Sequence, residues 1–262
     1  MKWTIRKILA LASVYYAHMM EYRAEIFLWA ISGTLPLILM GAWLQASQQA
    51  DFGLESIEFA RYFFSVFLVR QFTNIWVIWE FEKDIVRGKL SFRLLQPLDP
   101  VWHYVARHGT EKMTRIPFVC LFIIIFACLY PQAIWRPSFT NILLWILVVM
   151  MVFALRFTMQ YTLAMLAFWT ERASAIEQLI FLLYLFLSGY IAPLEVFPPL
   201  VREIALWTPF PYLIHFPASL LVGLPVNLGR GLAMITVWFT LFFVLNRWLW
   251  RKGLKQYSGM GA

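Results

Sequence analysis

Charge is scarce in this chain: Asp, Glu, Lys and Arg make up 14% of its 262 residues, against roughly a quarter in average soluble domains. With 61% hydrophobic residues and a mean hydropathy of +0.69, there is too little polar surface to cover a water-soluble globule. A cytoplasmic enzyme, a secreted module and a disordered protein are therefore excluded. Cysteine is nearly missing. Cys120 and Cys128 stand in one apolar run, form neither a disulfide framework nor a metal motif, and read as small core residues. Histidine is sparse too. His18, His103 and His108 fall in interfacial or cytosolic stretches and His215 in an outer one, so none lies in a core span where it could activate a hydroxyl. No carboxylate pair or His/Cys cluster has metal spacing.

What is plentiful is apolar length. Runs at 26–46, 59–79, 116–134, 142–169, 176–194 and 232–250 are each close to the roughly 20 residues a spanning helix needs. The fourth is long enough to tilt or project inward, and the fifth is broken near its end by Ser188, Gly189 and Pro193. Ahead of them, Ile5, Ile8, Leu9, Ala12, Tyr15, Tyr16 and Met19 make one apolar stripe, with Lys2, Arg6, Ser13, His18 and Glu21 mainly on the other side. Residues 1–24 are expected to form a helix lying in the membrane interface. A signal peptide cut at Ala10-Leu11-Ala12 would have an apolar region below the usual ~7–15 residues.

The net charge of +8 sits in short stretches beside apolar runs, as topology signals do, so no nucleic-acid partner is expected. With both termini cytoplasmic, sixteen Lys and Arg fall inside and four fall outside, namely Arg61, Arg136, Arg202 and Arg230. That bias predicts both ends inside. Trp43, Trp79, Trp135, Trp169 and Trp250 stand near span ends, as interfacial belts require.

Two stretches are not spans. The inner one, 80–115, carries Glu82, Asp84, Arg87, Gly88, Lys89, Leu90, Leu94 and Pro97. Leu90 and Leu94, with Ile85 as a further member, would share a face of a short helix that ends before Pro97. Gly88-Lys89 is no phosphate loop: no glycine lies five residues earlier, and Leu90 stands where Ser or Thr is required. A solvated basic loop and a docking helix for a cytosolic partner both fit. The outer stretch, 193–231, holds Pro193, Pro198, Pro199, Pro209, Pro211, Pro217 and Pro225 yet stays apolar. Short helices re-entering the outer leaflet satisfy both features.

This layout resembles an ABC-2-type transporter permease over nearly the whole chain. Ile85-Val86-Arg87-Gly88-Lys89-Leu90, then Leu94-Leu95 and Pro97, is similar to the family's coupling segment. Leu187-Ser188-Gly189, Pro193-Leu194, Pro198 and Pro209-Phe210-Pro211-Tyr212 are similar to its pattern ahead of the re-entrant helices. The acidic residue that often precedes the basic-Gly step is displaced here to Glu82 and Asp84. The resemblance implies one all-α transmembrane domain over 1–262, with six spans and a cytoplasmic coupling helix. It also implies a second permease, the same chain or a homologue, and two separate ABC ATPase subunits that hold ATP and Mg. This chain would bind no cofactor and carry no catalytic residue. It would sit among lipids of a plasma membrane, the bacterial inner membrane, and export a hydrophobic or amphiphilic substrate. Glu82, Asp84, Arg87, Gly88, Lys89, Leu90, Leu94 and Pro97 would meet the ATPase. Phe197, Phe210 and Tyr212 are the candidates for an outer apolar gate.

Two arginines stand out because they fall inside spans. Arg70 and Arg156 are expected near mid-bilayer, where a central arginine costs about 2.5–3.5 kcal/mol and should face protein or water. Glu25, Glu80 and Glu177 fall near cytosolic ends, so Gln71, Asn74, Gln160 or backbone carbonyls are the expected partners. Alternatively, either arginine lines the pathway and meets an anion. Other classes fit less well. A membrane hydrolase of the rhomboid type needs a glycine two residues before the serine, which Phe186-Leu187-Ser188-Gly189 lacks. An ion channel or secondary carrier would show relay residues, inverted repeats or several broken spans.

Overall fold

The computed structural model describes residues 2–50, 52–170 and 172–257, and all regular structure among them is helical. Helix α1 (Lys2–Glu21) rides along the start of α7: Lys7 Nζ donates to the Pro97 carbonyl at 3.0 Å, and the Tyr15 hydroxyl lies 3.2 Å from His103 Nδ1. The side chains of Lys2 and Arg6, expected to face headgroups, lie outside the described residues, as does that of Ile8. The first apolar run forms α2 (Arg23–Ser32) and α3 (Leu35–Ala46), with Gly33 and Thr34 between them. Pro36 stands in the first turn of α3, where its missing N–H has no intrahelical partner to lose.

Helix α4 (Ser56–Thr73) starts on a capping box in which the Glu55 N–H donates to the Glu58 carboxylate at 2.9 Å. It is the central column, with Phe59, Tyr62, Phe63, Val66 and Phe67 buried. It stops at Thr73. After Asn74, Ile75 and Trp76 the chain restarts as α5 (Val77–Val86), turns at Gly88 in the left-handed region (φ +66°), and forms α6 (Lys89–Leu94). Glycine takes that φ without the strain a side chain would bring.

The Asp99 carboxylate accepts the Val101 N–H at 3.0 Å and opens α7 (Val101–Leu129), whose first half is polar and second half apolar. Helix α8 (Phe139–Ala164) is capped by Ser138, which accepts the Asn141 N–H at 3.2 Å. Then come α9 (Ser174–Leu187), α10 (Pro199–Leu206), α11 (Phe210–Leu213) and α12 (His215–Val222). Helix α13 (Leu228–Gln256) closes the order, capped by Asn227.

Burial divides the interior in two. One apolar core joins α4 to α3, α8, α12 and the end of α7. The other gathers Phe81 of α5 with Tyr104, Tyr161, Phe168 and Trp250. The first includes Val69 and the second begins at Ile75, so the interruption between α4 and α5 marks the boundary between them.

By length and apolarity, four segments among the described residues can cross a membrane: Phe27–Ala46, Val101–Leu129, Phe139–Phe168 and Leu228–Gln256. The two other expected spans fall short for physical reasons. Helix α4 carries Arg61, Arg70 and Glu58. Helix α9 has 14 residues, about 21 Å of rise, less than a hydrocarbon core of roughly 30 Å. The outer stretch is a run of short helices, and α12 packs against α4 and α8. Leu143 and Met150 on α8, Ile124 on α7 and Val237 and Val244 on α13 point outward, as faces meeting lipid or another apolar partner do.

Candidate functional site: a polar cavity at a broken span

A cavity of about 370 Å³ opens where α4 gives way to α5. Its interior is polar: Arg70, Gln71 and Asn74 from the end of α4, Arg115 from α7, Arg156 and Gln160 from α8, and Glu177 from α9. Its mouth is aromatic, with Trp29, Trp79 and Phe181. The cavity brings together the two arginines that the sequence placed inside spans.

Arg156 is buried. Its Nη1 donates to the Tyr184 hydroxyl at 3.0 Å, its Nη2 donates to Asn74 Oδ1 at 3.3 Å, and the guanidinium lies 4.4 Å from the Tyr184 ring centroid. Arg70 donates to the Tyr190 hydroxyl and sits 4.7 Å from that ring. Cation–π contact of this kind strengthens where water is displaced. Asn74 is thus a partner of Arg156, as expected from the sequence. Gln71 instead accepts from Arg115 Nη1 at 3.2 Å, and Gln160 Nε2 donates to Glu177 at 2.7 Å. The tyrosines were missed by sequence reasoning, since nothing local pairs Tyr184 with Arg156 or Tyr190 with Arg70. Glu177 also differs from expectation: it lines the same cavity as Arg156 instead of standing apart from it. Buried Arg70 Nε, Arg115 Nε, Gln160 Oε1 and Glu177 Oε2 have no hydrogen-bond partner among the described residues.

A second cavity, of about 480 Å³, adjoins the first and shares Trp29, Trp76, Trp79 and Arg115 with it. His18, Met19 and Tyr22 border it on one side, Glu80, Arg107 and Glu111 on the other. Charges are matched here. Glu80 contacts Arg107 Nε at 3.2 Å and His108 Nε2 at 3.4 Å. Glu111 pairs with Arg115, and with Lys112 at 3.3 Å.

Of the inner-segment residues, Glu82 accepts the Ser174 N–H at 2.7 Å and the Ser174 hydroxyl at 3.1 Å. Asp84 is buried, accepts from the Tyr104 hydroxyl at 2.7 Å and pairs with Arg93 at 2.9 Å. Leu90 is fully buried in the inner core, while Phe92 and Leu95 are 71% and 84% exposed. The outward apolar face of α6 is therefore carried by Phe92 and Leu95, with Leu94 at its edge, and Leu90 is its anchor. Arg87 and Lys89 flank Gly88, and Pro97 accepts from Lys7. Of the expected gate residues, Phe210 and Tyr212 pack into the core around α4 and Phe197 is half-buried. The Tyr212 hydroxyl donates to the Leu206 carbonyl at 2.8 Å. Among the described residues, no three His, Cys, Asp or Glu are placed to hold a metal.

Several apolar helices around an arginine-bearing cavity define a multi-pass membrane protein. The family model described as ABC-2 family transporter protein matches residues 28–261, and the chain belongs to that family. Membrane subunits of ABC-2 transporters are typically non-catalytic and work with ATPase partners. No curated protein matches the chain.

Proposed function

We propose that this chain is the six-span permease subunit of an ATP-driven exporter of a hydrophobic or amphiphilic substrate, with both termini cytoplasmic. In this reading α4–α5 and α9 are the second and fifth spans, too polar or too short alone but seated inside the bundle. Two such permeases, identical or homologous, enclose the pathway. Two ATPase subunits holding ATP and Mg dock on Glu82–Pro97, and Phe197, Phe210 and Tyr212 close the outer side. The membrane is the bacterial inner membrane.

One observation carries the reading: the inner segment is joined to the wall of the polar cavity. Glu82 on α5 holds the start of α9, and α9 brings Glu177 and Phe181 to the cavity and Tyr184 to Arg156. Movement imposed on α5 and α6 by nucleotide binding would tilt α9 as a rigid body and reshape the cavity. The test is purification of the complex at native stoichiometry, with identification of the co-purifying subunits and assay of ATP-dependent export. Absence of an ATPase from the complex would overturn the reading. The broken second span and buried arginines also suit a secondary carrier, which would transport without ATP.

A further inference from the structure

The cavity at the broken span is electrically lopsided. Among the described residues, Arg70 and Arg156 are hydrogen-bonded only by neutral groups, Tyr190, Tyr184 and Asn74. Arg115 already has Glu111. Among the described residues, Glu177 is the single carboxylate lining the cavity, and one of its oxygens is held by Gln160. Two guanidinium groups therefore share one described acid. A buried charge without a counter-charge is costly, and an anion entering the cavity relieves that cost. Arg70 Nε is buried without a partner. The residues of the break line the same cavity, so α5 opens beside it with first-turn N–H groups and no side-chain cap. A helix start of this kind favours negative charge.

Shape gives the rest of the ligand. A volume of about 370 Å³ equals roughly a dozen waters at about 30 Å³ each. That space holds a phosphate- or carboxylate-sized head and the beginning of a chain, and anything longer must leave through the mouth. At the mouth Trp29, Phe181 and Trp79 are 44%, 42% and 40% exposed, an apolar rim around a charged interior. The adjoining cavity beside the end of α1 continues the opening. We propose that the cavity is a loading site for a single-headed anionic amphiphile: Arg70 and Arg156 take the oxyanion head, and Trp29, Trp79 and Phe181 take the apolar chain. This rests on the export reading for its purpose and names the substrate class that reading leaves open.

Dodecyl phosphate is the probe. Its binding is measured by equilibrium dialysis on the purified full complex in phosphatidylcholine nanodiscs without ATP, with empty nanodiscs as background and dodecyltrimethylammonium as the cationic control. Saturable binding of dodecyl phosphate alone is expected. Arg70→Gln and Arg156→Gln should each weaken it roughly 10- to 100-fold, while Arg251→Gln on the exposed end of α13 leaves it unchanged. Where a Gln variant does not assemble, the Lys variant keeps the charge without the planar fork and should bind with intermediate affinity. Phosphatidylglycerol added to the nanodiscs separates two sources of the same chemistry. Displacement of the probe identifies a bilayer lipid as the resident, and undiminished binding identifies a free amphiphile. The proposal is overturned if dodecyltrimethylammonium binds as well, or if the arginine variants bind as wild type does. Because no ATP is present, failure here leaves ATP-driven export standing, and a missing ATPase leaves the binding result standing.

Discussion

The carboxylate of Glu82 holds both the backbone N–H and the hydroxyl of Ser174, at 2.7 and 3.1 Å. Residues 92 positions apart thereby join α5 to the first turn of α9. A carboxylate at a helix start satisfies an N–H that has no intrahelical acceptor and suits the local dipole. Replacing Glu82 with Ala should cost about 0.5–2 kcal/mol of stability, the range of a lost helix cap. The larger effect should be functional. ATP hydrolysis by the complex should continue while export falls, measured side by side in reconstituted vesicles. Export that keeps pace with hydrolysis would show that this joint transmits nothing.

The face of α6 offers a sharper dissection. Leu90 is fully buried and Phe92 and Leu95 face out, so substitutions at these positions should fail in different ways. Leu90→Asp places a charge in an apolar core and should lower the yield of folded protein. Phe92→Asp and Leu95→Asp should leave the chain folded but weaken co-purification of the ATPase. Size-exclusion chromatography with subunit quantification separates the two outcomes. Normal ATPase retention in both outward variants would place the contact elsewhere.

Arg156 provides a test of charge against shape in transport. If the guanidinium recruits substrate by charge, Arg156→Lys should retain more export than Arg156→Gln at equal complex assembly. Arg70 should behave the same way. Wild-type export by well-assembled Gln variants would make both arginines structural.

Within the core around α4, the Tyr62 hydroxyl donates to the Gly189 carbonyl at 2.7 Å. Gly189 has φ +82°, and a Cβ there would lie 2.5 Å from the Tyr62 hydroxyl oxygen and 2.7 Å from the His215 Cβ. Gly189→Ala should therefore combine backbone strain with overpacking, a loss of about 2–4 kcal/mol. Tyr62→Phe, which orphans a buried carbonyl and removes the 3.3 Å contact with His215 Nδ1, should lose about 1–2 kcal/mol. Thermal unfolding in detergent should rank the two in that order.

Much of this architecture is legible in the sequence because membrane insertion imposes long uniform signals. The apolar runs and the prolines of the outer stretch each leave a local mark. So does the presence of Arg70 and Arg156 in apolar surroundings. What the sequence hides is pairing across the chain. Leu90 and Leu94 share a helical face by spacing, yet only the packing of α5 and α7 decides that Leu90 turns inward. Tyr184 and Tyr190 look like ordinary span aromatics until the fold sets them over guanidinium groups. The start of α7 at Val101, inside what reads as a loop, is masked by its polar first half. The stop at Thr73 is masked too, because Asn74-Ile75-Trp76 contains neither glycine nor proline.

That stop has a mechanical meaning. A continuous second helix would pass any push on α6 straight up the column and disturb the outer core with the inner one. With α4 ending at Thr73 and α5 beginning at Val77, the inner arm is a crank pivoting on three residues, and its bearing is the floor of the cavity. Under the proposed coupling, force delivered to α6 would become rotation beneath Arg70 and Arg156, while the column of α4 would stay seated among Phe59, Phe63 and Phe67.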